Sequence, residues 1–205
     1  MKTISSSGSF KDFTNDNFIY IDKTKTIYNL LKTKKRVFIS RPRRFGKSLT
    51  LDTIGTLFEK GVEPYFKGTW IYDKWDESTY PVLRLSFLRY SVSDVEEFKR
   101  RLVKDISNFA KNNNVKNYEE DPTPDGSIDS LLESLKGEQK HVVILIDEYD
   151  CQLTANINNT ELYDSFREVM RSFYGCIKDK EAVKFMFVTG VTRLKDVSIF
   201  SVGSD

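Results

Sequence analysis

Residues 36–48 read Arg36-Val37-Phe38-Ile39-Ser40-Arg41-Pro42-Arg43-Arg44-Phe45-Gly46-Lys47-Ser48: a β-branched run, a basic turn, then Gly-Lys-Ser opening an amphipathic stretch. A strand that feeds a turn and then a helix is where a phosphate-binding loop sits. N–H groups at a helix N-terminus have no internal partners and carry the positive end of the macrodipole, so they suit phosphate oxygens. Gly46 permits close backbone approach and Lys47 offers a flexible cation to the β- and γ-phosphates of a nucleotide. Ser48 can ligate Mg2+ through its hydroxyl. The usual pattern, G-x-x-x-x-G-K-[ST], requires glycine where this chain has Arg41, and Gly-Lys-Ser alone describes a simple turn equally well.

A second signal follows the run His141 to Ile146, which is apolar on both faces from Val142 onward. Such a run belongs inside a parallel sheet covered by helices on each side. It ends in Asp147-Glu148-Tyr149-Asp150. An aspartate at a strand's carboxyl end can hold the Mg2+ shell, and the adjacent glutamate can orient or deprotonate an attacking water. Acidic residues also follow strands as solvated turn formers, so the segment by itself stays open. Loop and acidic strand end in this order carry more than either alone. A later strand ends in Thr189-Gly190-Val191-Thr192-Arg193, at the sheet edge where open α/β folds bind ligands. Thr189 or Thr192 can hydrogen-bond the water or the γ-phosphate. Arg193 can stabilise charge on phosphoryl oxygens, in its own site or a neighbouring subunit's. The alternative is a strand-ending turn with a solvated arginine.

Around these motifs, short β-branched runs alternate with longer stretches whose apolar residues fall three or four apart, the signature of an α/β fold. Strands are expected at Arg36 to Ser40, Pro81 to Phe87, His141 to Ile146 and Val183 to Thr189. Val95, Phe98, Leu102, Ile106 and Phe109 form one helical stripe, and Leu162, Phe166, Val169, Phe173 and Ile177 another. Ser93 and Glu96 have the spacing of a capping box, and Gly61 is placed to stop the helix that begins near Gly46. Lys111 to Ser127 turns polar and reads as a mobile surface loop.

With 205 residues the chain is the size of one domain, or at most two small ones, and can bury a substantial core. Its 32 Lys+Arg against 30 Asp+Glu leave +2, so global charge does not argue for a nucleic-acid or membrane partner. No apolar stretch approaches the ~20 residues of a membrane span. No apolar segment follows Lys2 as a signal peptide would require. Two cysteines, Cys151 and Cys176, without zinc or CxxC spacing, point to ordinary thiols in a reducing, cytoplasmic setting.

These residues resemble the AAA-ATPase-like P-loop domain of the wider AAA+ and signal-transducing ATPase group. Phe18-Ile19-Tyr20-Ile21-Asp22-Lys23-Thr24 is similar to the family's opening Y-V-D-K-T element. Arg41 to Ser48 matches its R-P-R-R-F-G-K-S loop, in which arginine replaces the first glycine. Asp147 to Asp150 resembles its Walker B ending D-E-Y-D, and Thr189 to Arg193 its T-G-[VI]-[ST]-[RK] stretch. The resemblance implies a three-layer α/β sandwich of ASCE type with a mainly parallel sheet in the order 5-1-4-3-2, and Mg-ATP at the strand tips. It implies ATP binding and hydrolysis. Arg41, Pro42, Arg43, Arg44, Phe45, Gly46, Lys47, Ser48 and Leu49 would surround the nucleotide. Ser48 and Asp147 would hold the metal, and Lys47, Glu148, Thr189 and Arg193 would act in catalysis. Alternatives are a non-hydrolytic nucleotide-dependent switch and a nucleic-acid-processing factor, since many relatives carry a PD-(D/E)xK nuclease-like domain after this one.

Residues 1–17 read as an extension and 18–205 as the domain, with the fifth strand expected to be missing because Val202-Gly203-Ser204-Asp205 departs from the family's S-G-L-N-N continuation. The first strand would then lie at the sheet edge. Exposed edges pair readily, so Asn17 to Asp22, a second copy or a protein partner is expected to cover it. Lys32, Lys34, Lys35, Arg36, Arg41, Arg43, Arg44 and Lys47 concentrate positive charge that can meet a nucleotide, a nucleic-acid backbone or solvent. Tyr65, Phe66, Trp70, Tyr72 and Trp75 read as core or lid, because Pro64, Gly68 and Asp73 interrupt any regular stacking surface. The single histidine, His141, makes neither a zinc site nor a histidine-dependent triad with a second imidazole.

Overall fold

Four short runs rich in branched and aromatic side chains extend into strands β1 (Arg36–Ser40), β2 (Val82–Ser86), β3 (Val142–Asp147) and β4 (Val183–Gly190). The computed structural model describes residues 7–15 and 18–193. All neighbouring strands pair in parallel, in the order β1-β4-β3-β2. This is the order 1-4-3-2 that the resemblance implies. Side chains alternate across the sheet as the pleat requires. Val143, Leu145, Phe185 and Phe187 face one side, where they meet Ile27 of α2 (Thr24–Thr33) and Ile54 and Phe58 of α3 (Lys47–Lys60). Leu83, Leu85, Ile144, Ile146 and Val188 face the other, beneath α4 (Val95–Asn112), α5 (Pro124–Gly137) and α7 (Thr160–Ile177). The protein is therefore a three-layer α/β sandwich, and β3 is apolar on both faces because both faces are covered.

The helix bounds follow from local chemistry. Gly46, at φ 72°, starts α3 and Gly61, at φ 71°, ends it, with the Gly61 N–H closing on the Leu57 carbonyl at 2.9 Å. The α4 stripe buries Phe98, Leu102, Ile106 and Phe109. The α7 stripe is centred on Phe166, Met170, Phe173 and Ile177, leaving Val169 half-buried. The capping box expected at Ser93 and Glu96 is corrected. The N-cap is Asp94, whose carboxylate accepts from the Glu97 N–H at 2.9 Å, while Ser91 Oγ accepts from the N–H groups of Ser93 and Asp94. A carboxylate at the positive end of the helix dipole is the stronger cap.

The polar stretch from Lys111 to Ser127 is also corrected, since α4 runs into it and α5 begins at Pro124 with Thr123 as N-cap. Its irregular part is tied down. The Tyr118 hydroxyl bridges Ser107 and Ser127, at 2.8 and 2.6 Å, and Glu138 accepts from the Lys116 N–H.

Helix α3 is locked to the sheet by Arg84 of β2, which donates to Asp52 at 2.7 Å and to Glu59 at 2.9 and 3.2 Å. The guanidinium lies across Gly55, where an added Cβ would meet it at 2.2 to 2.7 Å. The segment expected as an N-terminal extension packs on the same helix. Phe10 of α1 (Phe10–Asn15) is fully buried with Leu57, Phe66 and Ile71, and its N–H bonds Asp52 at 2.7 Å. Phe66 thus belongs to a small core, with Tyr65, Trp70, Tyr72 and Trp75 packed against it.

Strand β1 is the sheet edge, and among the described residues no further strand lies beside it. Tyr20 packs on Phe10 and Phe13, and Asp22 accepts from the N–H groups of Thr24 and Trp70. The expected cover by Asn17 to Asp22 is therefore not formed by a strand from Phe18 to Asp22. Asn17 and the carboxyl-terminal stretch after Arg193, including Val202 to Asp205, lie outside the described residues.

The two readings of the α4 start separate in a urea melt. Asp94→Ala is expected to cost about 1 kcal/mol, a typical cap loss, and Ser93→Ala no more than a few tenths. Equal costs would restore the Ser93 cap.

Candidate functional site

Parallel pairing sets the strand ends side by side. Ser40 lies opposite Gly190 and Ser86 opposite Asp147 in the ladder, and the Arg41 N–H continues it to the Gly190 carbonyl at 3.2 Å. The basic loop after β1, the acidic residues after β3 and the turn after β4 therefore emerge at one edge.

The loop is shaped by its backbone. Arg44 and Gly46 both occupy the left-handed region, at φ 67° and 72°. Glycine is free to do so, whereas a non-glycine residue there carries strain. Lys47 is buried, and its Nζ reaches back to donate to the carbonyls of Arg41 (2.9 Å) and Pro42 (3.0 Å), bracing the loop across its mouth. Among the described residues no side chain caps the start of α3, so its first N–H groups face the loop without an intrahelical acceptor. Arg41, Pro42, Arg43, Arg44 and Phe45 are exposed, Phe45 to 63%. Leu49 differs from its neighbours, because its side chain packs toward Phe10 and Leu57. The Ser48 hydroxyl is exposed, and Gly8 of the amino-terminal segment lies close to the Ser48 Cβ.

The acidic end is a divided structure. Asp147 Oδ1 accepts from the Glu148 N–H at 3.0 Å and from the Thr189 hydroxyl, while Oδ2 makes no hydrogen bond among the described residues. Thr189 is fully buried behind Asp147. Its hydroxyl donates to that carboxylate and so orients it. Glu148 has φ 52°, rare for a side chain of its size. Burial, and then the charge of Asp147, push its carboxyl above the ordinary value, with Lys47 and Arg43 pulling the other way. The loop cations thus act electrostatically on Glu148 across the edge. Burial, Glu148 and Asp150 likewise push the Cys151 thiol up, which keeps it protonated and unreactive.

Thr192 and Arg193 are exposed at the end of the β4 turn. Tyr149 and Asp150, to which the sequence alone attaches no role, both reach this turn. The buried Asp150 carboxylate accepts from the N–H groups of Val191 and Thr192, and the Tyr149 hydroxyl donates to the Thr192 carbonyl. The signal available was the full length of D-E-Y-D, which continues two residues past the acidic pair.

The basic stretch does not form one patch. Lys32 pairs with Asp76 and Glu77, and Arg36 with Asp179, at the amino end of β1, whereas Arg41, Arg43, Arg44 and Lys47 lie past its carboxyl end. A five-residue strand separates the groups by roughly 16 Å. No three His, Cys, Asp or Glu side chains among the described residues gather to hold a metal unaided. No helix among them is long and apolar enough to cross a membrane.

An uncharacterized protein in the vnfD 5' region of Azotobacter chroococcum mcd 1 is 35% identical over 189 residues, covering 91% of this chain and 36% of that protein. The chain thus spans about a third of that relative's length. No solved structure matches. The family described as Predicted AAA-ATPase matches residues 6–200, nearly the whole chain, and the protein belongs to this AAA-ATPase-like family.

Proposed function

We propose that this chain binds ATP with Mg2+ at the carboxyl edge of its sheet and hydrolyses it. The loop carries the reading: a buried Lys47 braced on the Arg41 and Pro42 carbonyls beside an uncapped helix start. That arrangement offers several N–H donors and one cation to a row of phosphates. Ser48 and Asp147 fit a magnesium ion that arrives with the nucleotide. Both are hard oxygen donors, and among the described residues Asp147 Oδ2 has no hydrogen-bond partner while Oδ1 is fixed by Thr189. Bound there, the ion neutralises charge on the transferred phosphoryl group.

Glu148 serves as the base or the orienting group for water, since its raised pKa brings a carboxylate closer to the operating pH than an ordinary glutamate. Arg43, Arg44 and Arg193 supply exposed positive charge around the phosphates, and Thr192 is better placed than Thr189 to meet them directly. Substrates and partners of a longer protein would be read out through this nucleotide cycle.

Calorimetric titration with Mg-ATP tests the site. Lys47→Ala is expected to weaken binding more than tenfold, which is about 1.4 kcal/mol or more. Glu148→Gln should keep binding and lose turnover by about 10²- to 10⁴-fold. Tight binding without wild-type turnover would establish a switch in place of an ATPase, and no binding by folded protein would overturn the site.

Glu148→Gln has a second, non-catalytic signature. A carboxyl whose folded pKa exceeds its unfolded value binds an extra proton when folded, so wild-type stability falls as pH rises from the ordinary 4.5 through the raised value. Glutamine does not titrate. The variant should therefore melt higher than wild type at neutral pH, with the gain vanishing below pH 4.5. A pH-independent difference would show that Glu148 is not held in a desolvating environment.

A further inference from the structure

Glu148, at φ 52°, stands between the half-buried Asp147 and two residues, Tyr149 and Asp150, that turn inward and are buried. Both inward residues are spent on a different strand. The Asp150 carboxylate, 2% exposed, accepts from the Thr192 N–H at 2.6 Å and from the Val191 N–H at 3.0 and 3.2 Å. The Tyr149 hydroxyl donates to the Thr192 carbonyl at 2.9 Å, and the Tyr149 N–H to the Thr189 carbonyl at 3.0 Å. The Tyr149 ring stands edge-on against Phe38 of β1, centroids 5.1 Å apart.

Close approach makes this possible. A Cβ on Gly190 would fall 2.5 Å from the Tyr149 ring and 2.7 Å from Asp150 Oδ1, so only glycine lets the two segments come together. A buried anion shared by two successive N–H groups is a short, charge-assisted contact with little freedom. It is more than a turn formation requires, because the turn residues Val191, Thr192 and Arg193 are themselves exposed.

We propose that Asp150, seconded by Tyr149, is a positioning residue that latches the Gly190–Arg193 turn to the segment carrying Glu148, so that Thr192 and Arg193 meet the nucleotide in fixed register with the base. The proposal rests on the ATPase reading for its catalytic consequence, while the latch itself does not. Asp150 and Tyr149 touch no substrate. They act through the turn.

The test has two arms on the full chain. Amide hydrogen exchange, read without nucleotide, probes the latch alone. Asp150→Ala is expected to speed exchange at Val191 and Thr192 by about tenfold while Ile144 to Ile146 stay protected, and unchanged exchange would overturn the latch. Steady-state turnover probes the consequence. Asp150→Ala should lower kcat on the order of tenfold to a hundredfold, as misplacement of a reacting group does, with ATP Kd unchanged. Tyr149→Phe, which keeps the buried ring, should lose less, and Asp150→Asn, which keeps one acceptor, should recover part of the loss.

Arg193→Ala decides whether the effect runs through the turn. Added to Asp150→Ala it should cost little more than either change alone, whereas additive losses would overturn the positioning role. A wild type that turns over no ATP would overturn the ATPase reading and the positioning role together. Accelerated exchange in that case would still establish the latch.

Discussion

Strand β4 pairs in parallel with both β1 and β3, and the candidate site exists because of that double pairing. Each of its parts is borne on the carboxyl end of a different strand: the basic loop on β1, the acidic pair on β3, the turn on β4 itself. Nothing else joins them in sequence. Ladder hydrogen bonds set the relative height of the three ends to within a residue, since a slip of one would turn every side chain to the opposite face. Here a slip would drive Phe187 or Val188 out of its packed layer. The cores on the two faces of the sheet therefore hold the register that the site needs.

The parts of the fold that rest on periodicity were legible in the sequence. All four strands and the two long stripes on α4 and α7 follow from spacing alone, because burial on one face or two imposes its own repeat. Boundaries set by single hydrogen bonds were less so. Ser93 and Asp94 are both good caps by residue type, and only the backbone decides which one reaches the Glu97 N–H. The stretch from Lys111 to Ser127 looks polar, yet its end already belongs to α5, where Ser127 is buried along with Ile128 and Leu131. The run of Pro and Asp residues before them masked a Pro-initiated helix start.

At the site, residue type identified the chemistry and missed the geometry. Thr189 is the catalytic candidate the resemblance implies, yet it lies inside β4, buried behind Asp147, whereas Thr192 lies past the strand's end in solvent. The basic stretch looked continuous until a strand was threaded through its middle. Asp150 was invisible as a separate actor because three acidic residues in four positions read as one cluster. In the folded chain the cluster divides about Glu148, at φ 52°, into a half-buried pair and a buried acceptor that holds the β4 turn.

The same division accounts for how the edge tolerates its own electrostatics. Asp147, Glu148 and Asp150 lie within four residues, and three carboxylates at that spacing repel one another in a half-buried setting. Each is relieved differently. Asp147 is fixed by a hydroxyl and an N–H, Asp150 by two N–H groups of the turn after β4, and Glu148, among the described residues, by neither kind of contact. What remains unrelieved collects on Glu148, which is pushed up by burial and by Asp147 and steadied only by Lys47 and Arg43. The flanking aspartates are thus held by hydrogen bonds while Glu148 is left to burial and charge, the environment in which a carboxyl is easier to protonate.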